Sequence, residues 1–219
     1  MYHQIAPPPK FSGNRGLCVS PSLFRRQMTE LREAGFRSTT LDHIVDACPE
    51  QSIGITFDDG FQNAAAAAMP ALAEAGFTAI QFLVADRRTN QWDIDRGYPA
   101  APLMDDAQTH AWLAAGHEIG AHTLTHPRLT QIPLADARRE IFESKSRLED
   151  RFQRSIRHFC YPYGDFNPAI QELVAEAGFD TACSTEPGSN LDQHNRYALR
   201  RWMATHRRPA LAAWLPNFF

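Results

Sequence analysis

The sequence predicts an α/β fold in which helices and strands alternate around a mostly parallel sheet or an irregular barrel. The main observation is a repeated junction, Ala-Gly-Phe, at positions 34–36, 75–77 and 177–179, with a weaker copy, Ala-Gly-His, at 115–117. Each copy follows a helical pattern and precedes a short strand-like run. Glycine directly after a helix supplies the left-handed residue that ends it. Repeated helix-to-strand junctions are typical of alternating α/β folds.

Length and composition indicate one globular unit. The 219 residues are 43% hydrophobic and 21% charged, which excludes a disordered or fibrous chain. No linker or shift in composition divides the chain, so we predict a single domain over residues 1–219. With 22 basic and 25 acidic residues, the chain has no strong basic field to collect nucleic acid or anionic lipid.

Cysteine spacing and the N-terminal sequence bear on the compartment. The four cysteines form no C-x-x-C pair, and we predict buried free thiols, which are typical of a reducing compartment. No signal peptide is visible, and no apolar run is long enough to span a bilayer. We therefore expect a cytoplasmic protein without a membrane span.

The predicted elements follow in order along the chain. Ser20 caps the first helix, and Pro21 occupies its first position. The predicted helices are 21–34, 41–47, 61–75, 105–115, 133–152 and 168–177. The predicted strands are 1–5, 37–39, 52–57, 79–84, 118–121, 157–161, 181–184 and 197–203. The polar stretch 86–103 is predicted as a long loop, a feature that is usually functional or mobile.

Two adjacent carboxylates, Asp58 and Asp59, follow the apolar strand at 52–57. Burying them together is costly because they repel each other and lose their hydration. A cation beside them removes that cost. The alternative is structural, because either aspartate could cap the helix that follows.

Two histidines, His122 and His126, follow the strand at 118–121 with a spacing of i and i+4. On a helical turn this spacing places both imidazoles on one face, as in metal chelation, although nine histidines make a chance pair possible. One carboxylate and two imidazoles leave coordination positions open for water and substrate, which is typical of a catalytic metal site. A second carboxylate nearby can then act as a general base.

The third cluster, Tyr161-Pro-Tyr-Gly164, follows the strand at 157–161. A turn containing proline and glycine exposes backbone N–H groups that can stabilise an oxyanion. Taken alone, the cluster is better explained as an ordinary turn with aromatic packing.

The three motifs together resemble the polysaccharide deacetylase family, also called the NodB-homology domain or carbohydrate esterase family 4. The matching segments are Thr56-Phe-Asp-Asp-Gly60, His122-Thr-x-Thr-His126 and Tyr161-Pro-Tyr-Gly164, in that order. The resemblance implies a distorted (β/α) barrel, which we expect to have seven strands. It also implies removal of N-acetyl groups from an amino-sugar-containing glycan, or a precursor of one, by one divalent metal ion, commonly zinc.

The resemblance assigns roles to individual residues. Asp59, His122 and His126 are the implied metal ligands. Asp58 is the implied general base toward the attacking water, and the backbone N–H of Tyr163 is implied to hold the oxyanion.

Substrate contacts are expected around the same turn and on the long loop. Tyr161 and Pro162 belong to the third motif and are expected to bind the saccharide. Trp92 on the long loop is expected to stack on a sugar face, although loop aromatics often serve local packing.

The sequence departs from the family pattern in two places. Many members have an arginine that orients the base where this chain has Cys160. The common late Leu-x-His motif is matched poorly by the segment that ends at His206. A branch of the family instead places a histidine in an N-terminal Tyr-His motif, which Tyr2-His3 resembles. We therefore expect His3 to be the general acid, with His206 as second choice.

Two alternatives to the deacetylase remain open. One is a hydrolase of another non-peptide C–N bond on the same barrel. The other is a catalytically weak glycan-binding protein, which the loss of the arginine at Cys160 favours and the intact metal-ligand pattern disfavours. The arginines around His206, including Arg200 and Arg201, could meet an anionic substrate group, but such a run is more often a solvated edge.

Overall fold

The computed structural model describes residues 1–9, 13–47, 50–191 and 195–205. Nine strands lie within these ranges: β1 (Gln4–Ile5), β2 (Cys18–Val19), β3 (Arg37–Ser38), β4 (Ser52–Ile53), β5 (Thr56–Phe57), β6 (Ile80–Leu83), β7 (Glu118–Ala121), β8 (His158–Cys160) and β9 (Thr181–Cys183). The α-helices in the same ranges are α1 (Pro21–Glu33), α2 (Leu41–Asp46), α3 (Gln62–Ala75), α4 (Gln91–Ile94), α5 (Asp106–Ala114), α6 (Leu134–Phe152) and α7 (Pro168–Glu176).

The centre of the fold is a parallel sheet in the order β5-β6-β7-β8-β9, and helices connect most of its neighbouring strands. Two further parallel pairs, β1 with β2 and β3 with β4, lie beside it. The predicted alternation of helices and strands is therefore confirmed. The predicted strand 52–57 is divided between two sheets, because β4 pairs with β3 whereas β5 pairs with β6.

Both edges of the five-stranded sheet are extended by single bridges. Tyr2 pairs in parallel with Phe57, and Leu199 pairs in parallel with Cys183. The two outer segments also meet, because the Ala204 N–H donates to the Met1 carbonyl at 2.9 Å. The expected count of seven strands is not confirmed, since each outer position contributes one bridge and residues 197–203 form no strand.

The predicted helix ends agree with the structure. Gly76 closes α3 in the left-handed conformation, with φ of 71°, and its N–H donates to carbonyls of the last turn. Ser20 caps α1 by accepting a hydrogen bond from the Leu23 N–H at 3.3 Å. The predicted loop 86–103 contains the short helix α4.

Side chains alternate between two apolar regions on either side of the sheet. Along β6, Ile80 and Phe82 pack in a small cluster with Cys160 and Cys183, whereas Leu83 packs in the larger core. Cys18, Cys160 and Cys183 are buried free thiols, as predicted, and Cys48 lies outside the described residues. No helix in the described ranges is long and apolar enough to cross a membrane.

Candidate active site

The three sequence motifs meet at one edge of the parallel sheet. Asp58 and Asp59 follow β5, His122 follows β7, and Tyr161 follows β8. Since these strands are parallel, their carboxyl ends lie at the same edge and converge on one region, where α/β folds commonly place their chemistry.

Unusual backbone conformations concentrate in this region. Asp59, Thr123, His126 and Tyr163 all have positive φ, at 74°, 65°, 68° and 60°. Each such residue costs roughly 1–3 kcal/mol and persists only where the surrounding contacts impose it, and such strain is common at functional sites. The turns after three strands thus adopt unfavourable backbone conformations that place their side chains in this region.

The two histidines do not lie on a helical turn, so that expectation is wrong. The segment after β7 is irregular up to the 3₁₀ helix Leu129–Gln131. The left-handed residues Thr123 and His126 fold it back, and the Thr123 hydroxyl accepts a hydrogen bond from the His126 N–H at 2.9 Å. The imidazole centroids of His122 and His126 are consequently 4.8 Å apart.

The loop that carries the histidines is held by Glu140 of α6. Its buried carboxylate accepts hydrogen bonds from the N–H groups of Leu124 and Thr125 at 2.8 and 2.9 Å. It also accepts a hydrogen bond from the Thr125 hydroxyl at 2.7 Å. The sequence analysis missed this residue, because one acidic side chain on a highly charged helix carries no distinguishing pattern.

Asp59 and the two imidazoles form a buried group of three. His122 Nε2 lies 3.3 Å and His126 Nε2 lies 3.2 Å from the same oxygen, Asp59 Oδ1. The three potential ligand atoms all lie within 4.8 Å of one another. The capping alternative for the aspartates is not supported, since α3 begins at Gln62 without a side-chain cap.

The hydrogen bonds of this group suit a cation. His122 Nδ1 lies 2.7 Å from the Cys160 carbonyl, which can only accept, so Nδ1 carries the proton. In the neutral ring, Nε2 is then a bare acceptor facing a carboxylate oxygen. Burial would raise the pKa of Asp59, but the adjacent imidazoles of His122 and His126 lower that pKa well below its usual range. Burial likewise lowers the pKa of His126. One carboxylate and two imidazole nitrogens that converge in this way are a donor set that fits a divalent metal.

Asp58 makes a different set of contacts. Arg201 binds both of its carboxylate oxygens, with Nη1–Oδ1 at 2.7 Å and Nη2–Oδ2 at 2.8 Å. Both residues are buried, with 2% and 7% of their surfaces exposed. Burial would raise the pKa of Asp58, but the charge and hydrogen bonds of Arg201 outweigh it and bring the pKa to about 2. Asp58 is therefore an oriented, ionised carboxylate.

Arg201 is buried, whereas the sequence favours a solvated edge for the run of arginines that contains it. Its remaining hydrogen bonds go to the Ser184 carbonyl at 2.9 Å and the Thr56 hydroxyl at 3.0 Å. Its Nη2 also donates to Cys160 Sγ at 3.1 Å. A guanidinium from the far end of the chain thus lies beside the cysteine that stands where many family members have arginine. The available signal was strand alternation, which puts Arg201 on the same side as the buried Leu199.

A second group of possible ligands consists of Asp58, His122 and Cys160. It is the weaker candidate for a metal. Both oxygens of Asp58 are already bound by Arg201. Burial raises the pKa of the Cys160 thiol well above its usual value, and a protonated thiol is a poor ligand.

Of the two candidate acids, His3 lies within the described residues. His3 lies beside the base, with Nε2 4.0 Å from Asp58 Oδ2 and only 13% of its side chain exposed. Its Nδ1 is buried without a hydrogen-bond partner among the described residues. His206 lies outside the described residues.

The expected substrate-binding side chains are largely packed away. Trp92 is 9% exposed and stacks on the His126 ring with centroids 4.2 Å apart. The Tyr161 side chain is fully buried, and its hydroxyl donates to the Tyr197 carbonyl at 3.0 Å. Pro162 is buried as well, whereas Tyr163 is half-exposed, with its ring 4.7 Å from that of His126. Tyr163 is thus the aromatic side chain of this set that reaches the surface.

Comparison with known proteins identifies a family. Residues 46–182 match the sequence profile of the family described as Polysaccharide deacetylase. A relative from Bacillus subtilis (strain 168), named Putative polysaccharide deacetylase YxkH, is 27% identical over 207 residues, covering 92% of this chain and 68% of the relative. The solved Streptococcus pyogenes deacetylase PplD, in complex with acetate, has a TM-score of 0.82 at 19% identity, covering 100% of this chain and 96% of that one. IcaB from Ammonifex degensii has a TM-score of 0.80 at 21% identity, covering 97% and 94%. At these identities the solved structures support the fold.

Proposed function

Because the chain belongs to the polysaccharide deacetylase family, we propose that it hydrolyses the acetamido group of an N-acetylated amino sugar in a glycan or glycan precursor. One observation carries the proposal. Three convergent ligand atoms, from Asp59, His122 and His126, lie next to an ionised carboxylate, Asp58, that Arg201 holds in place. That pairing provides both a place for a metal and a base beside it. We also propose that residues 1–219 form one catalytic domain.

Asp59, His122 and His126 would hold one divalent ion, with zinc expected from two imidazoles and a carboxylate. Such an ion supplies Lewis acidity toward the acetamide carbonyl and makes water a nucleophile near neutral pH. The chain prepares these ligands in advance. The Cys160 carbonyl fixes the His122 tautomer at 2.7 Å, and Trp92 stacks on His126 at 4.2 Å. We assign Trp92 this positioning role beside its expected contact with the sugar.

Asp58 is the proposed general base. Its pKa of about 2 keeps it ionised at neutral pH, and the two hydrogen bonds from Arg201 fix its plane. Oδ2 also accepts a hydrogen bond from the Cys160 thiol at 3.5 Å, so Oδ1 is the oxygen with a further lone pair for the proton of the attacking water. A low pKa weakens a base, so orientation rather than proton affinity is what Asp58 contributes.

His3 is the proposed general acid. An amide nitrogen is a poor leaving group until it is protonated, and an imidazolium can supply that proton near neutral pH. His3 faces Asp58 at 4.0 Å, so both ends of the proton path lie in one small region. His206 is the second candidate.

The turn after β8 would stabilise the oxyanion. Tyr163 has φ of 60°, which turns its backbone away from the regular path of the chain. We propose its N–H as the donor to the developing negative charge. Tyr161 and Pro162 have buried side chains, so their part in substrate binding is to shape this turn.

The test is acetate release from N-acetylated chito-oligosaccharides by protein loaded with zinc, with a chelated sample as control. We expect acetate and a new free amine in equal amounts, both lost on chelation. The solved relative PplD, whose structure holds acetate, supports that choice of product. Formate or ammonia from another C–N substrate would favour the alternative hydrolase. Saccharide binding without turnover would favour the glycan-binding protein. The cysteine at position 160 no longer favours that alternative, because Arg201 binds Asp58 in place of the missing arginine.

A further inference from the structure

Two arginines contact the exposed aromatic ring at the rim of the site. Arg128 Cζ lies 4.2 Å and Arg96 Cζ lies 4.8 Å from the centroid of the Tyr163 ring. The same ring is 4.7 Å from that of His126. The Tyr163 ring therefore lies in contact with both guanidiniums and with a proposed metal ligand.

Neither guanidinium has a counter-ion in the described ranges. No carboxylate lies within 4.0 Å of Arg96 or Arg128, and no described acceptor takes a hydrogen bond from either. Asp93 and Asp59 act electrostatically on Tyr163, yet neither forms an ion pair with these arginines. Two like charges on one ring repel each other, and the ring's negative face offsets only part of that cost.

Several other surface arginines are paired, although Arg37 and Arg154 have no carboxylate partner among the described residues. Arg147 contacts Asp86 at 3.1 Å, and Arg157 contacts Asp42 at 2.8 Å. The chain as a whole is acidic, with a formal net charge of −3. Arg96 and Arg128 differ from the other unpaired arginines because both guanidiniums lie on one aromatic ring beside the site. The acidic chain gives anions no long-range attraction.

We propose that Arg96 and Arg128 bind an anionic group that the substrate carries next to its acetamido sugar. The substrate class is then an acidic N-acetylated glycan rather than a neutral one. Guanidinium groups bind carboxylate and phosphate oxygens in pairs, so either anion satisfies the site. This inference rests on the proposed deacetylase function.

The experiment compares matched oligosaccharides with the zinc-loaded protein. One is a neutral N-acetylated chito-oligosaccharide, one is the same chain bearing a phosphate, and one alternates N-acetylglucosamine with glucuronate. Dissociation constants are measured by calorimetry, and kcat/KM by acetate release. We expect one anionic substrate to bind about 10-fold or more tighter than the neutral one, with a kcat/KM higher by a similar factor, which is the size of effect that charge-assisted hydrogen bonds give. High salt should remove both differences. The identity of the preferred substrate distinguishes carboxylate from phosphate.

Variants assign the preference to the two arginines. Arg128→Gln and Arg96→Gln should each lower the anionic-to-neutral ratio by about 10-fold, and the corresponding lysine variants should retain part of it. Arg25→Gln is the control, since Arg25 is exposed on α1 and pairs with Glu74 at 3.4 Å. A change at Tyr163 that affects all substrates equally leaves the anionic-to-neutral ratio unchanged, so the ratio reports on the anionic group alone.

The outcomes separate the two proposals. Acetate release with a ratio near one, unchanged in the variants, would overturn the anion site and leave the deacetylase intact. Binding of an anionic oligosaccharide that depends on Arg96 and Arg128, without acetate from any substrate, would support the anion site and contradict the deacetylase. Binding that is equal for all three saccharides would overturn the anion site whatever the turnover.

Discussion

Removing the guanidinium of Arg201 should lower the free energy of unfolding and shift the pH dependence of the activity. In Arg201→Gln the buried Asp58 carboxylate loses two hydrogen bonds of 2.7 and 2.8 Å and its charged partner. Removing one partner of a buried ion pair typically costs about 3–5 kcal/mol, because the other charge stays buried and uncompensated. We expect the free energy of unfolding to fall by about that amount at pH 7.

The pH dependence has a definite sign. Asp58 has its pKa lowered from 3.8 to about 2 in the folded protein, so its ionised form stabilises the fold above the unfolded pKa. That stabilisation is lost as pH falls through about 2, and at roughly 1.4 kcal/mol per pKa unit it amounts to about 2 kcal/mol. Without Arg201, burial dominates and the pKa rises. The acid limb of the rate profile should then move to higher pH than in the parent protein.

Urea unfolding at pH 7 and kcat/KM between pH 4 and 9 measure these two effects. Arg200→Gln is the matched control, because Arg200 is exposed and its contact with Glu186 is 3.8 Å long. The control should stay within about 0.5 kcal/mol of the parent protein. Adding Asp58→Asn to Arg201→Gln should restore part of the lost stability, since no uncompensated charge remains. Equal stability and equal pH profiles for Arg201→Gln and Arg200→Gln would refute the reasoning.

Four further predictions concern the metal and the proton transfers. His126→Ala should lose metal by elemental analysis while keeping its circular dichroism, because the residue lies on a loop outside the main helices and strands. Asp58→Asn should retain the metal but lose about 10²–10⁴-fold in kcat, as expected for a general base. At equal metal content, His3→Ala should lower kcat by about 10²-fold or more, and His206→Ala by less than about 10-fold. Glu140→Ala should weaken zinc binding by about 10–100-fold in a competition assay, since it releases the loop that positions both imidazoles.

Each of these predictions has a contrary result. Full metal occupancy in His126→Ala would remove that residue from the site, and loss of metal in Asp58→Asn would reverse the roles of Asp58 and Asp59. A large kcat loss in His206→Ala with little in His3→Ala would move the acid to the late position. For Glu140→Ala the control is Glu143→Ala, an exposed neighbour paired with Arg147 at 2.9 Å, and equal zinc affinity in both would contradict the positioning role.

Local signals predicted the elements and the motifs well. Helix ends such as Gly76 follow from the conformational preference of glycine, and strand ends such as Phe57 follow from an apolar run that stops at charged residues. Parallel strands place their carboxyl ends together, so the meeting of three motifs could also be expected. These inferences need only short stretches of sequence.

Features that depend on distant contacts could not be predicted in the same way. The fold of the histidine loop depends on positive φ at Thr123 and His126. For the β-branched Thr123 this conformation is an outlier that the surrounding contacts impose, so a local sequence pattern does not predict it. The choice of Arg201 over Arg200 as the buried arginine depends on Asp58, 143 positions earlier in the chain. The strand count failed because the segments that meet at the edges pair by single bridges, too few to define strands.

The meeting of the two outer segments has a consequence for the order in which the site can be completed. The metal ligands come from residues 59–126, within the first part of the chain, whereas the base acquires its guanidinium only from Arg201. The proposed acid, His3, is placed by a segment whose Met1 carbonyl bonds to Ala204. Contacts so far apart in sequence close long loops, and the entropy cost of closing a loop rises with its length. A molecule frayed at these outer segments would hold its proposed metal ligands together while its proposed acid and base lack their positioning contacts, so the proposed hydrolysis would require the outer segments to be in place.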